Sequence, residues 1–225
     1  PDNLLQFFDF YLSTKKHTIK ASTLRKLKVV RNKIENFEND LNRKYKIKDV
    51  DKSFLTDFIN WSKEKQYDNS VINDNFKIIR GVCKEAQQYD IEVNKNLYLL
   101  STGIKDTPAF KIYLTVDELK QISDLQNLPK HLDSARDWLV ISCYTGQRIS
   151  DFKRFTPDMI RKQGSRAFID IRQLKTNKNV SIPLVPIVEG ILKKRNGNFP
   201  PTTTDQSYND YIKDVCRMAQ INEKI

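Results

Sequence analysis

The sequence predicts a mostly α-helical protein in two parts: an N-terminal helical bundle over residues 1–100, then a mixed α+β part with a small antiparallel sheet over 113–225. Three observations predict it. Apolar residues recur at three- and four-residue spacing through the N-terminal part, the period of one face of an α-helix. That period lapses between Asn94 and Lys111, where Ser101-Thr102-Gly103 and Thr107-Pro108 gather instead, so residues 101–112 are the expected interdomain linker. Beyond it, Ala167–Ile171 and Val180–Leu184 alternate with period two, the pattern of paired half-buried strands.

Each element has its own signal. Leu4, Leu5, Phe7, Phe8 and Tyr11 give a short first helix an apolar face. A second is expected to open near Ser22, a good N-cap, and to carry Leu24, Leu27, Val30, Ile34, Phe37 and Leu41 along one side. Asp51 or Ser53 opens a third through Phe54, Leu55, Phe58, Ile59 and Trp61. Ser70 is placed to open a fourth, through Ile72, Phe76, Ile79, Val82, Cys83 and Ala86, ending near Tyr89-Asp90. After the linker, Leu114-Thr115-Val116-Asp117-Glu118 reads as an apolar residue, a capping threonine and a capping-box glutamate three positions on. A strongly apolar helix through Trp138–Tyr144 stops at Gly146. The two alternating strands flank a polar turn, Lys175–Asn179, and helices are expected to resume at 186–195 and 205–219.

Bulk properties narrow the function. No apolar run approaches the roughly 20 residues that cross a bilayer, and the N-terminus lacks the basic-then-apolar pattern of a secretory signal, so a cytoplasmic protein with no membrane partner is expected. Three cysteines, Cys83, Cys143 and Cys216, are odd in number and far apart, which suits reduced buried thiols rather than a disulfide framework. With no Cys-x-x-Cys or His/Cys cluster, a structural zinc site is not expected. The net charge of +11 favours a polyanionic partner, because each cation that meets a phosphate releases condensed counterions.

The charge is also patterned. From Phe10 to Ile34 there is no acidic residue, while Lys15, Lys16, His17, Lys20, Arg25, Lys26, Lys28, Arg31 and Lys33 fall in that window. Arg25, Lys26, Lys28 and Lys33 sit away from the apolar stripe of the second helix. On the fourth, Lys77, Arg80 and Lys84 recur at three- and four-residue spacing and share a face. Any one of these lysines is most simply a solvated surface charge. Two basic faces close in sequence favour duplex DNA, with Lys20, Arg25, Lys26, Lys28, Lys77, Arg80 and Lys84 as the candidate contacts.

Chemistry concentrates in Cys143–Phe152. An apolar helix ends at Gly146 and a new one starts just after it, with Arg148 at or near its first turn. The helix dipole disfavours a cation there, but a guanidinium at such a junction is suited to grip a phosphate or a carboxylate. Asp151, three residues on, shares its face and is placed to orient Arg148 or a neighbouring base; a plain intramolecular Arg–Asp pair is the simpler alternative.

The segment Thr145-Gly146-Gln147-Arg148-Ile149-Ser150-Asp151-Phe152 resembles the Thr-Gly-x-Arg-x-Ser-Glu/Asp-Leu motif of the tyrosine recombinases, the phage integrase family. The resemblance implies that Arg148 is the first catalytic arginine, holding the scissile phosphate, and that Asp151 supports the active site. Ile171–Thr176 followed by Val180–Leu184 is similar to the family's β-hairpin, whose lysine is the general acid for the leaving 5′ oxygen; Lys175 matches it. Ile72–Asn94 resembles the last helix of the SAM-like core-binding domain, although Lys95 stands where the family often has proline after the asparagine. Leu114–Leu119 resembles the opening of the catalytic domain. Gln147 before the arginine and Asp151 in place of glutamate are similar to mobile-element integrases of Bacteroides-type bacteria.

By this resemblance, the chain is expected to bind duplex DNA as a clamp, to work as a tetramer on paired sites when full length, and to need no small-molecule substrate, metal or cofactor. The family's His/Lys-x-x-Arg pair and nucleophilic tyrosine follow the hairpin by many tens of residues. His17 and His131 precede Arg148, and Tyr208 and Tyr211 come too early and read as core or surface aromatics. The nucleophile is therefore expected beyond Ile225, and residues 113–225 are expected to be the first part of the catalytic domain. Residues 1–225 are then expected to bind DNA without cleaving it. Two rivals stand beside this reading: a DNA-binding regulator that reuses the fold without chemistry, and an unrelated RNA-binding or scaffold protein.

Overall fold

A computed structural model describes residues 2–106 and 113–221. The chain divides into two units, Pro1–Phe110 and Lys111–Ile225, each with its own apolar core.

In the first unit, α1 (Leu4–Lys15), α2 (Ala21–Asp40), α3 (Lys52–Glu64) and α4 (Asn69–Ala86) form the bundle that the apolar periodicity predicts. Asn3 and Asp51 cap α1 and α3 by accepting from the backbone N–H groups of Gln6 and Phe54. The other two starts differ from the sequence reading. Lys20, not Ser22, occupies the cap position of α2, and Asp68, not Ser70, that of α4; neither uses a side-chain cap. An extended residue there already turns its carbonyl to the first helical N–H groups, as Lys20 does for Thr23 and Leu24.

The bundle core is aromatic. Phe37 stacks on Tyr45 at 5.5 Å between ring centroids and meets Phe54, Phe58 and Trp61 edge-on. Each such buried ring contributes about 1.5–3 kcal/mol. Leu97 and Leu100 also reach this core from the segment after α4, through a short 3-10 turn at Leu97–Leu99. Of the expected linker, residues 101–106 lie along α4. Asn73 Nδ2 donates to Ile104 O (3.0 Å) and Asp106 Oδ1 (2.7 Å), Thr102 bonds Asn73, and Asn69 donates to Lys105 O. Residues 107–112, including Thr107-Pro108 and Lys111, lie outside the described residues.

The second unit opens with α5 (Val116–Asp124), capped by the Thr115/Glu118 box in both directions as the sequence predicts. The apolar α6 (Lys130–Thr145) follows, then the four-residue α7 (Ile149–Phe152). The sheet runs β1-β2-β3, all antiparallel: β1 (Ile160–Gln163), β2 (Arg166–Arg172) and β3 (Asn179–Pro183). β2 and β3 match the predicted pair. β1 escapes period-two reading because Ile160 is its one apolar residue; its charged, exposed side chains suit an edge strand. Helices α8 (Pro186–Lys194) and α9 (Asp205–Met218) close the unit, with α9 packed on α6.

Polar side chains anchor α8 to α6. Arg195 donates to Asp137 Oδ2 (2.7 Å) and Asp133 Oδ2 (2.6 Å), and Lys194 reaches Asp133 at 2.6 Å. The buried Arg136 binds Asp137 Oδ1 at 2.9 Å. Cys83 and Cys216 are buried as expected, but Cys143 is exposed, because it faces outward near the end of α6.

Candidate nucleic-acid interface

The site in the second unit is built from two turns. The first begins where α6 runs out. Thr145 Oγ1 donates back to Ile141 O, and Gly146, at φ +62°, takes the left-handed conformation that ends the helix without a Cβ clash. Gln147 and Arg148 follow, Arg148 being extended, with its carbonyl accepting from the N–H groups of Asp151 (2.8 Å) and Phe152 (2.9 Å). Phe152 fixes this turn by burying its ring between Trp138 and Tyr208. The Arg148 side chain is exposed and has no ion pair or hydrogen bond among the described residues. Its position at a helix junction agrees with the sequence reading, but a four-residue helix supplies little dipole against it.

The second turn joins β2 to β3. Arg172 faces Asn179 across the ladder, so the loop comprises residues 173–178. Gln173 closes it on both sides: its N–H donates to Lys178 O, and its carbonyl accepts from Asn177 N, both at 2.9 Å. Asn177 sits at φ +59°, a left-handed position asparagine tolerates. Lys175, in the middle, is exposed and, among the described residues, without an ion pair.

Two hydrogen bonds bring the turns together. Asp151 Oδ1 accepts from Leu174 N at 2.8 Å, and Gln147 Oε1 accepts from Gln173 Nε2 at 2.8 Å. The residue before Arg148 therefore grips the residue two before Lys175, and Asp151 holds Lys175's immediate neighbour. Asp151 is fully buried, and its second partner is Arg154 Nη2 at 3.2 Å. Arg154 also donates to Arg172 O, tying α7 to the end of β2. The expectation that Asp151 orients Arg148 is thus corrected. Burial without water demands donors, and these come from the hairpin backbone and Arg154, which leaves Arg148 free. Asp151 Oδ2 has no hydrogen-bond partner among the described residues.

Gln147, Gln173 and Arg154 were not among the candidate residues. Gln147 and Gln173 lie within the two segments that resemble the family's, but glutamines and an arginine in polar turns carry no signal of which partners they hold. Around the two turns, Arg148, Arg154, Arg172, Lys175 and Lys178 outnumber the acid Asp151, while Lys153 is paired with Asp205 at 2.8 Å. Tyr208 is buried, and burial pushes its hydroxyl pKa up, far from a nucleophile's needs. Among the described residues no group of three or more His, Cys, Asp or Glu is placed to hold a metal ion, and no helix is long and apolar enough to cross a membrane.

In the first unit, Lys20, Arg25, Lys26 and Lys28 are exposed at the start of α2, with no ion pair among the described residues. Further along, Arg31 is held by Asp9 (2.8 Å) and Glu35 (2.5 Å), and Lys33 lies 3.9 Å from the Tyr67 ring centre, where burial lowers its pKa. On α4, Lys84 is exposed and Lys77 lies 3.5 Å from Asp74, both side chains open to solvent. Arg80 is half-buried and donates to Leu100 O at 2.6 Å, so part of its guanidinium holds the segment after α4.

Residues 3–102 match the phage integrase SAM-like domain. A comparison with curated proteins finds no match by sequence. Among solved structures, the chain is similar to a lambda integrase tetramer bound to a Holliday junction. The TM-score is 0.75 at 15% identity, over 96% of this chain and 66% of that one. It is also similar to a lambda integrase dimer bound to a COC′ core site (TM-score 0.76, 14% identity, 99% of this chain and 65% of that one). The Tn1549 transposon integrase in complex with circular intermediate DNA gives a TM-score of 0.73 at 18% identity, over 100% of this chain and 81% of that one. The chain shares the integrase fold: mostly helical, with a small antiparallel sheet. It spans about two thirds of the two lambda integrase chains.

Proposed function

We propose that this chain is the DNA-binding portion and first catalytic part of a tyrosine recombinase that carries out site-specific DNA recombination or integration. The observation that carries the reading is the joining of two turns, each presenting a free cation, by the Asp151–Leu174 and Gln147–Gln173 hydrogen bonds. A guanidinium and an ammonium so arranged suit one phosphodiester. Arg148 holds its non-bridging oxygens and stabilises the charge that grows on them as phosphorus becomes five-coordinate. Lys175 donates a proton to the leaving 5′ oxygen. The attacking group is a tyrosine other than Tyr208 or Tyr211, and attack leaves a 3′-phosphotyrosyl link that a second DNA strand reverses. No cofactor is needed, because the bond energy is kept in that link. Lys20, Arg25, Lys26, Lys28, Lys77 and Lys84 contact the duplex backbone, Arg80 contributing what its bond to Leu100 leaves free, and full-length protomers assemble as a tetramer on paired sites. Asp151 supports the site by fixing the hairpin rather than the arginine.

The test is a nicked suicide duplex offered to the protein extended past residue 225. Arg148→Ala is expected to keep duplex affinity within about threefold and to abolish the covalent protein–DNA complex. Normal turnover by that variant contradicts the assignment. A protein that forms no covalent complex at any length is instead a DNA-binding regulator on the same fold.

A further inference from the structure

The side-chain bond between the two turns runs through Gln173. Gln173 uses its N–H, its carbonyl, its side-chain oxygen and its side-chain NH2 at once. The backbone groups close the loop with Lys178 and Asn177. Oε1 accepts from the Thr176 hydroxyl at 2.6 Å, across the apex that carries Lys175. Nε2 leaves the hairpin and donates to Gln147 Oε1 at 2.8 Å. Gln147 in turn donates through Nε2 to Thr145 O at 3.1 Å, at the end of α6. An unbroken chain of donors and acceptors thus leads from Thr176, one residue past Lys175, to Thr145, three before Arg148. Both glutamine side chains are half-buried, where a hydrogen bond competes less with water.

We propose that Gln173, working with Gln147 and Thr176, is a positioning residue that sets where Lys175 stands relative to Arg148. The inference rests on reading those two cations as phosphate ligands. A lysine side chain on an unpinned six-residue loop samples many positions, and ordering it on DNA costs conformational entropy. Pinning Gln173, Leu174 and Thr176 leaves only the Lys175 side chain to be ordered. The Asp151–Leu174 bond fixes the backbone at one point; the glutamine relay fixes the loop's rotation about that point.

A coupling experiment on the 225-residue chain and a generic duplex at low salt separates this role from a merely structural one. Lys175→Ala is expected to lower duplex affinity about threefold in the wild-type background. In a Gln173→Ala background, the same replacement is expected to change affinity by less than about 1.5-fold, because the ammonium is no longer held at the phosphate. Gln147→Ala breaks the relay from its other end and is expected to give the same coupling, so a folding defect in one variant leaves the test intact. Lys28→Ala, in the first unit, is the control and is expected to cost the same in all three backgrounds. If Lys175→Ala costs about threefold in every background, the positioning role is wrong while the phosphate site stands. If Lys175→Ala has no effect even in the wild-type background, the reading of Lys175 as a phosphate ligand fails, and this proposal fails with it.

Discussion

The two units solve the same problem, fixing cations in space, by different means. In the first, cations ride on α2 and α4, whose opposite faces bury Phe37 and Phe76 in the aromatic core. Helix rigidity and an aromatic core do the positioning, so Lys20, Arg25, Lys26 and Lys28 need no polar support. In the second, Arg148 and Lys175 sit on turns: the buried Phe152 ring anchors the first, while residues 174–178 of the second are exposed. Buried or half-buried polar groups take over: Asp151, Gln147, Gln173 and Arg154. On the proposed reading, the difference teaches that an apolar core can place a surface for a long polyanion, whereas aligning two groups at one bond takes directional hydrogen bonds.

The comparison is easiest to break by unfolding. The chain has two tryptophans, with Trp61 buried in the first unit and Trp138 in the second, so each unit reports on itself. Phe37→Ala removes a ring that touches four others and is expected to destabilise the first unit by about 3–5 kcal/mol. The loss should appear in the denaturant midpoint of Trp61 fluorescence and leave that of Trp138 in place. Equal shifts of both signals mean that the two cores unfold as one body.

Asp151→Ala sharpens the contrast within the second unit. It strips the acceptor from Leu174 N–H and from Arg154, an expected loss of about 2 kcal/mol in the Trp138 transition, and it should speed amide exchange at Leu174. An unmoved transition with a protected Leu174 amide means the hairpin is held by something else.

A smaller effect is expected from the ion network under α8. Burial raises the Asp133 pKa, but the Lys194 hydrogen bond and the charges of Arg136, Lys194 and Arg195 outweigh it and hold the carboxyl below its ordinary range. A folded pKa below the unfolded one contributes stability that is complete above the ordinary value of about 4 and is lost as pH falls through the lowered one. Asp133→Asn is therefore expected to be less stable than wild type by about 1.5 kcal/mol at neutral pH. The two Trp138 transitions should converge in acid. A constant gap across that range contradicts the linkage.

Legibility in the sequence follows the same division. The bundle could be read because its cores are periodic: Leu27, Val30, Ile34 and Phe37 announce α2 whatever caps it. Helix starts were less legible, since Lys20 and Asp68 begin α2 and α4 without a side-chain cap. Strands β2 and β3 showed their alternation, but the polar edge strand β1 had none to show. At the site, Arg148, Asp151 and Lys175 stood out through a motif. Their true partners did not, because Gln147–Gln173 and Asp151–Leu174 join residues 26 and 23 apart through side chains with no periodic signature. Asp151 shows the limit best. Its spacing from Arg148 suggested a local pair with that arginine, whereas the folded chain gives it Arg154 and a backbone N–H of the hairpin.

The central claim, that Arg148 and Lys175 meet at one phosphodiester, is most directly tested by the salt dependence of duplex binding for Arg148→Ala, Lys175→Ala and the double variant. Each phosphate neutralised contributes about 0.9 to the slope of log affinity against log salt. If the two cations share a phosphate, either single variant should lower the slope by less than half of that, and the double variant by about 0.9 in total. Two equal steps summing to about 1.8 would mean two separate phosphates, and the shared site would be wrong.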